Sequence, residues 1–141
     1  MYISPYILAI LIGWVVAQGL KYVIFAIRGH TLKGLRHLYL SGNMPSSHSA
    51  TVAALLMVIA LKDGIESGLF GLATLFAAIV MYDAMMVRRS SGEQGEAIQA
   101  LIREQKSKVL IPRAARGHTP PEVLTGAILG VAIGYIVFLA T

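Results

Sequence analysis

The sequence contains no cysteine and few charged residues. The lack of cysteine excludes disulfide bonds, thiolate catalysis and cysteine-ligated metals. Only 13 % of the 141 residues are charged, while 56 % are hydrophobic and the mean hydropathy is +0.69. A soluble domain of 15.1 kDa has too little interior to bury so many apolar side chains. The composition therefore argues against a soluble monomer, a disordered chain and a nucleic-acid-binding module. It predicts one integral membrane domain over residues 1–141.

Four apolar stretches have the character of membrane spans. The hydrocarbon core of a bilayer is about 30 Å thick and needs roughly 20 helical residues to cross. The first stretch holds one charge, Lys21, and lacks the basic start and cleavage site of a signal peptide. The stretches lie at residues 5–27, 45–61, 65–87 and 121–140. We therefore expect an all-α, polytopic membrane helix bundle with about four transmembrane helices, in which spans two and three form a tight hairpin.

The two long connections between spans are expected to contain amphipathic or interfacial helices. Residues 29–44 include a basic, partly amphipathic stretch, and residues 88–120 include "GEQGEAIQALIREQKSK", in which charges of both signs alternate. In the second connection, Ala97, Ala100 and Leu101 share a side suited to packing against the bundle.

Basic residues are concentrated on one side of the predicted topology. Both long connections lie on this side and, together with Arg28 at the end of the first span, hold ten of the twelve Lys and Arg residues, whereas the opposite side has only Lys62. Cytoplasmic loops of membrane proteins are enriched in Lys and Arg. We therefore expect this side to be cytoplasmic and both termini to lie outside. The expected location is a plasma membrane, which is the inner membrane in a bacterium.

The unusual polar residues of the spans all fall at the predicted cytoplasmic end. Lys21 and Arg28 are two helical turns apart and share one face of the first span. The other spans contribute Ser46, Ser47 and His48 at the start of the second, Asp83, Arg88 and Arg89 at the end of the third, and His118 and Glu122 at the start of the fourth. Their shared end predicts one polar site.

The "PSSH" stretch at residues 45–48 predicts a helix N-terminus that can bind an anion. Proline is favoured at the first helical position, and we expect Pro45 there. The free N–H groups that follow, together with the helix dipole, attract negative charge. The hydroxyls of Ser46 and Ser47 add donors, and His48 can supply a proton. The alternative is that these residues only cap a helix.

His118 and Glu122 are spaced four residues apart and so share a helix face. The carboxylate can accept a hydrogen bond from one ring nitrogen while the other faces a substrate. The alternative is an ordinary helix start in which Thr119 is the cap, and both can hold together. Lys21 and Arg28 also have alternatives, because Lys21 can extend to the membrane surface and Arg28 can simply end a span.

These motifs resemble the three signatures of the phosphatidic acid phosphatase type 2 and vanadium haloperoxidase superfamily. The matching stretches are "K-x6-R" at 21–28, "PSSH" at 45–48 and "GHTPPEVLTGAILG" at 117–130. The order of these motifs, together with the stretch "YDAMMVRRSSGEQ" at residues 82–94, is most similar to a small divergent membrane branch of the superfamily. That branch is described as acid phosphatase/vanadium-dependent haloperoxidase-related. The resemblance implies a phosphatase-like domain that hydrolyses a lipid phosphomonoester, such as phosphatidylglycerophosphate or phosphatidate, without a metal or other cofactor.

The resemblance also implies a role for each matched residue. His118 would be the nucleophile that forms a phosphohistidine, His48 the general acid, and Glu122 the group that orients His118. Phosphate would be held by a set that includes Lys21, Arg28 and Ser46, to which the Ser47 hydroxyl at the helix start adds a donor.

Three positions depart from the superfamily pattern. Gly29 replaces a proline, Ser47 replaces a glycine, and Pro112 stands where the third motif has an arginine. The replacement for that arginine is open among Arg88, Arg89, Arg113 and Arg116. We expect Arg88 or Arg89, because a rigid span would hold either, with Asp83 pairing with Lys21 or an arginine in support.

Two other functions compete with a phosphatase. A vanadate-binding haloperoxidase is disfavoured because such members of the superfamily are soluble and larger. A non-catalytic membrane protein that binds or transports a phosphorylated lipid remains an alternative.

Expected partners are a phosphorylated lipid and the membrane, without nucleic acid. Gly126, Gly130 and Gly134 form a smooth strip that allows close helix packing. The strip favours a homodimer, with packing against span one or three of the same chain as the alternative.

Overall fold

The computed structural model describes residues 3–27, 44–112, 114 and 117–141, and within these ranges the regular structure is helical. The described residues form five α-helices and one π-helical segment. They are α1 (Pro5–Ile27), α2 (Ser47–Lys62), α3 (Gly68–Tyr82), the π segment (Asp83–Val87), α4 (Arg88–Glu104) and α5 (Pro120–Ala140). The predicted all-α membrane bundle is confirmed.

Three of the described helices are long and apolar enough to cross a membrane. They are α1, the continuous 37-residue helix Gly68–Glu104 that joins α3 to α4, and α5. The remaining apolar helix, α2, has only 16 residues, fewer than the roughly 20 that a bilayer core requires. In the part of the chain that the structure describes, four apolar helices thus form the bundle, as the hydropathy predicted, and one of them is short.

The short helix α2 lies at the centre of the bundle, where it packs against α1, α3 and α5. Its buried residues are mostly small, among them Ala50, Ala53 and Ala54. Small side chains allow neighbouring helix backbones to approach closely, and such close packing holds helices together in lipid. Deeper in the bundle, the core contains Val58 and Val137.

The glycine strip of α5 packs directly against the backbone of α2. A Cβ atom placed on Gly126 would overlap the carbonyl oxygen of Ser46, the residue just before α2, and a Cβ on Gly130 or Gly134 would overlap that of Ala50 or Ala54 within α2. The strip is therefore occupied by α2 of the same chain, and not by span one or three. It cannot serve as the interface with a second copy, so the expected homodimer loses the argument on which it rested.

The end of the bundle opposite the polar site is closed by side-chain contacts. The Tyr6 hydroxyl donates a hydrogen bond of 2.7 Å to Oδ2 of Asp63, and the Lys62 ammonium lies 5.8 Å from the centre of the Phe138 ring. Ser67 caps α3 by accepting a hydrogen bond of 3.1 Å from the Phe70 N–H. These contacts fix the predicted short turn between α2 and α3.

The helix that contains the third span continues beyond residue 87, where the apolar stretch ends. The π segment carries the helix into the polar α4 without interruption, because the sequence after Val87 contains no proline before Pro112. The chain then turns back along α4, where Gln99 Nε2 donates a hydrogen bond of 2.7 Å to the Pro112 carbonyl. A Cβ on Gly95 would lie 3.0 Å from the Cβ of Ala114.

The prediction that Ala97, Ala100 and Leu101 pack α4 against the bundle is wrong. Ala97, Ala100 and Leu101 are all exposed, while a different side of α4 contacts the returning chain through Gln99 and Gly95. The predicted amphipathic helix of the second connection is thus present, but it extends from the bundle. The corresponding helix of the first connection falls mostly on residues 28–43, which lie outside the described residues.

Candidate functional site

The site is built around the N-terminus of α2. Ser46 is the N-cap: its backbone is extended, and its Oγ accepts hydrogen bonds from the Ser49 N–H at 3.4 Å and the Ser49 hydroxyl at 2.9 Å. Helix α2 begins at Ser47, so the expectation that Pro45 is the first helical residue is wrong by two positions. The polar serine cap outweighs the proline preference because it satisfies N–H groups that would otherwise be buried without a partner.

The start of α5 holds this N-terminus in place. The Ser46 N–H donates a hydrogen bond of 3.1 Å to the Glu122 carbonyl, and Gly126 contacts the Ser46 carbonyl, where a Cβ would not fit. Ser46 and Ser47 are consequently buried, whereas the His48 side chain is exposed. The cap is therefore a rigid part of the bundle, and His48 lies at its surface.

His118 is held from two directions just before α5 begins. Its backbone N–H donates a hydrogen bond of 2.9 Å to the Ala84 carbonyl in the π segment, and its Nδ1 lies 3.2 Å from Oε2 of Glu122. The same Oε2 accepts a hydrogen bond of 3.0 Å from the Thr119 N–H and completes a capping box. Both interpretations of this motif are present together: Glu122 caps α5 and contacts the histidine.

The environment of His118 favours its neutral form. Burial lowers the pKa of the imidazole below its usual value, and the positive charge of Lys21 lowers it further, while Glu122 opposes the shift. The His118 side chain is only 4 % exposed. A neutral imidazole that donates its Nδ1 proton to Glu122 carries its free electron pair on Nε2. That nitrogen is then available as a nucleophile.

Lys21 and His48 lie at the same end of the bundle as His118. Each is close enough to His118 to act on its charge, and Lys21 also interacts electrostatically with Glu122. His48 in turn interacts with Arg88 and Asp83. The structure thus brings together predicted site residues from α1, α2, the π segment, α4 and the start of α5. Arg28 lies outside the described residues, as do Arg113 and Arg116.

The two arginines that follow the third span face different surroundings. Arg88 Nε donates a hydrogen bond of 2.6 Å to Oδ2 of Asp83, the arginine pairing expected for that carboxylate. Arg89 Nε lies 3.1 Å from Oε1 of Glu93. Arg89 also lines a cavity of about 200 Å³ that reaches His118. The cavity is bounded by Arg89, Gly92, Glu93, Glu96, Gly117, His118 and Thr119.

Sequence reasoning missed three features of this end of the bundle. Gln18, one helical turn before Lys21, has a buried Oε1 without a hydrogen-bond partner among the described residues. The Ala84 carbonyl receives the His118 N–H, and Gly117 lies so close to the Arg89 backbone that a Cβ would not fit. Only Gln18 carried a signal, as a polar side chain within an apolar span. Among the described residues, no three His, Asp or Glu side chains group closely enough to hold a metal.

Comparison with known proteins shows the family of the chain. The chain is 39 % identical over 108 residues to the uncharacterized membrane protein YuiD of Bacillus subtilis (strain 168), and the match covers 66 % of this chain and 68 % of that protein. No solved structure matches the chain. Residues 3–133 match a family model described as the divergent PAP2 family. That match spans nearly the whole helix bundle and all three motifs that carry the resemblance, so the chain belongs to the divergent PAP2 family.

Proposed function

We propose that the protein is a membrane-embedded lipid phosphate phosphatase that works through a phosphohistidine on His118. The observation that carries the proposal is the partly buried contact between His118 Nδ1 and Glu122, at the same end of the bundle as Lys21 and His48. A neutral, oriented imidazole beside positive charge can attack a phosphate dianion, because the charge offsets the repulsion between nucleophile and phosphate oxygens.

In the first step, Nε2 of His118 attacks the phosphorus of the lipid phosphomonoester. An N–P bond forms and the P–O bond to the lipid breaks. The departing alkoxide takes a proton from the His48 imidazolium, so the lipid leaves as a neutral alcohol. Glu122 stabilises the positive charge that develops on the His118 ring.

In the second step, neutral His48 takes a proton from a water molecule as its oxygen attacks phosphorus. The N–P bond breaks, its electron pair returns to Nε2 of His118, and inorganic phosphate leaves. His48 is then protonated again and ready for the next substrate. Two histidines thus divide one hydrolysis into two easier displacements.

The phosphate oxygens are held by Lys21, by Arg28, and by the start of α2, where Ser46 and Ser47 lie. Of the two expected replacements for the missing arginine, Arg89 is the stronger candidate because it lines the cavity that reaches His118. Arg88 is engaged with Asp83 and acts on the charge of His48. Fixed positive charge of this kind stabilises the transferring phosphoryl group.

The proposed substrate is a phosphatidylglycerophosphate- or phosphatidate-like lipid on the cytoplasmic face of a plasma membrane. The concentration of Lys and Arg in the two long connections supports this orientation, with both termini outside. A site at helix ends, level with lipid headgroups, suits a phosphate whose acyl chains stay in the bilayer.

Phosphate release from defined lipids tests the proposal. The purified protein in lipid nanodiscs is expected to release inorganic phosphate from phosphatidylglycerophosphate or phosphatidate, and His118→Ala is expected to abolish release. Labelled phosphate trapped on His118 would identify the intermediate. Glu104→Gln, an exposed carboxylate of α4 away from the site, is the matched control for Glu122→Gln. Full activity of His118→Ala would overturn the mechanism.

The alternative function is a non-catalytic protein that binds or transports a phosphorylated lipid. The observation in its favour is Pro112, which stands in place of the motif arginine and whose carbonyl is bound to Gln99. This alternative predicts tight binding of a lipid phosphate without turnover. Binding measured alongside phosphate release separates the two functions.

A further inference from the structure

A group of large apolar side chains is exposed where α4 ends and the chain turns back. We name the group the wing tip; it consists of Ile98, Leu101, Val109, Leu110 and Ile111. Leu110 is 92 % exposed, Val109 63 % and Leu101 53 %. Such exposure is expected on spans that face lipid, but the wing tip lies beyond the apolar stretch of the third span.

The turn that carries the wing tip is well defined. The Ser107 N–H bonds to the Ile102 carbonyl at 3.1 Å and the Lys106 N–H to the Arg103 carbonyl at 3.2 Å, with Lys106 at a positive φ of 48°. This pattern is a Schellman motif, which ends a helix and reverses the chain. The apolar residues are therefore presented by ordered structure.

The rest of the described chain does not cover the wing tip. The returning segment lies on another side of α4, as the Gln99–Pro112 hydrogen bond and the Gly95–Ala114 contact show. On a helical projection, Ile98 and Leu101 point away from Gly92 and Glu96, which face the cavity beside His118. An apolar surface that is organised but uncovered is typical of an interaction site.

The charges around the wing tip identify its partner. Arg103, Lys106 and Lys108 are exposed beside it, with Glu104 as the one acidic residue between positions 101 and 112. A second copy of the chain would bring like charges together in a two-fold interface. An anionic lipid surface offers both an apolar layer and opposite charge, and amphipathic helices rich in basic residues bind at that boundary.

We propose that the wing tip docks onto an anionic lipid surface, with α4 running along the membrane. The aliphatic side chains enter the boundary between headgroups and acyl chains, while Lys106 and Lys108 contact lipid phosphates. The π segment is where α4 can incline from the span, since π-helical turns are a known cause of helix bends. This docking surface goes beyond the proposed phosphatase function and does not depend on it.

Spin labels attached to single cysteines test the docking, and the cysteine-free chain needs no prior removal of native thiols. Leu110→Cys reports on the wing tip, Leu75→Cys on a lipid-exposed position of α3, and Glu104→Cys on a neighbouring polar position. Each labelled full-length protein is placed in nanodiscs of phosphatidylcholine alone or of an equal mixture with phosphatidylglycerol. Accessibility to oxygen, which partitions into lipid, is compared with accessibility to a water-soluble nickel chelate.

In the anionic nanodiscs, the Leu110→Cys label is expected to have the same oxygen and nickel-chelate accessibilities as the Leu75→Cys label. In nanodiscs of phosphatidylcholine alone, the Leu110→Cys label is expected to be more accessible to the water-soluble nickel chelate. The substitutions Lys106→Gln and Lys108→Gln remove positive charge from the wing tip. Each should lower the ratio of lipid-inserted to water-exposed Leu110→Cys label about 5-fold, since a lysine contributes about 1 kcal/mol near an anionic surface. The proposal is overturned if the Leu110→Cys label is as water-accessible as the Glu104→Cys label in both lipids. It is also overturned if the label is shielded from both reagents regardless of lipid, which would indicate a protein partner or a second copy.

Discussion

The Nδ1 of His118 and the Oε2 of Glu122 lie 3.2 Å apart, and that carboxylate oxygen also accepts the Thr119 N–H. One oxygen therefore both caps α5 and orients the histidine. The helix start and the proposed nucleophile are fixed by the same group, so the position of His118 follows from the folding of α5.

Replacing Glu122 with glutamine separates its two roles. Glutamine can still complete a capping box, so α5 is expected to remain folded. The neutral amide no longer stabilises positive charge on His118, and phosphate release should fall by about 10²- to 10⁴-fold. Phosphate release together with thermal unfolding of Glu122→Gln checks this. A variant that loses stability and activity in parallel would contradict the separate orienting role.

The pH dependence of His118 should follow from its surroundings. Because burial and Lys21 lower its pKa in the folded state, modification of His118 by diethyl pyrocarbonate is expected to titrate below the usual value of about 6.5. Lys21→Met should raise this midpoint and Glu122→Gln should lower it further. A midpoint that does not move in either variant would contradict the electrostatic coupling.

The same shift predicts a loss of stability in acid. The unfolded chain binds a proton at His118 more readily than the folded chain, so the free energy of unfolding should fall as the pH drops through about 6.5. The fall should stop once the pH is below the folded-state pKa. Unfolding of the wild type and of His118→Asn at several pH values checks this, since the variant should lose this part of the pH dependence.

The glycine strip gives a matched pair of stability predictions. Gly130→Ala places a Cβ on the Ala50 carbonyl, and overpacking of this kind should lower the free energy of unfolding by roughly 1–3 kcal/mol. Gly71→Ala in α3 meets no atom within 4 Å and should be neutral or stabilising, because alanine favours helix. Chemical unfolding in detergent measures both. Crosslinking in membranes should show the same oligomeric state for Gly130→Ala and wild type.

The arginine that completes the phosphate site can be identified from inhibition by inorganic phosphate. Arg89→Ala is expected to weaken this inhibition and raise KM, since Arg89 lines the cavity beside His118. Arg88→Ala should change phosphate inhibition mainly indirectly, because Asp83 would lose the arginine with which it forms a salt bridge. A weakening seen only with Arg113→Ala or Arg116→Ala would overturn the assignment.

The sequence was sufficient to predict the helices and their shared polar end. A long apolar run can be recognised from local sequence alone. Because successive spans cross the membrane in opposite directions, Lys21, Ser46 and His118 are predicted at one end however the helices pack. The neighbour of the glycine strip could not be predicted, because periodicity identifies a helix face but not the helix that covers it. The continuity of α3 with α4 through the π segment was not predicted, because the composition indicates a helix on each side of Val87 but does not show whether a turn separates the two.

The shortness of α2 has a consequence for the surrounding bilayer. Its 16 residues make a rod of about 24 Å, several Å shorter than a hydrocarbon core of about 30 Å. With its far end closed at the turn that follows Lys62, the serine cap at its near end lies level with the headgroups only where the bilayer beside the bundle is thinner. This requirement links the protein to membrane thickness, so lipids with shorter acyl chains should fit it best.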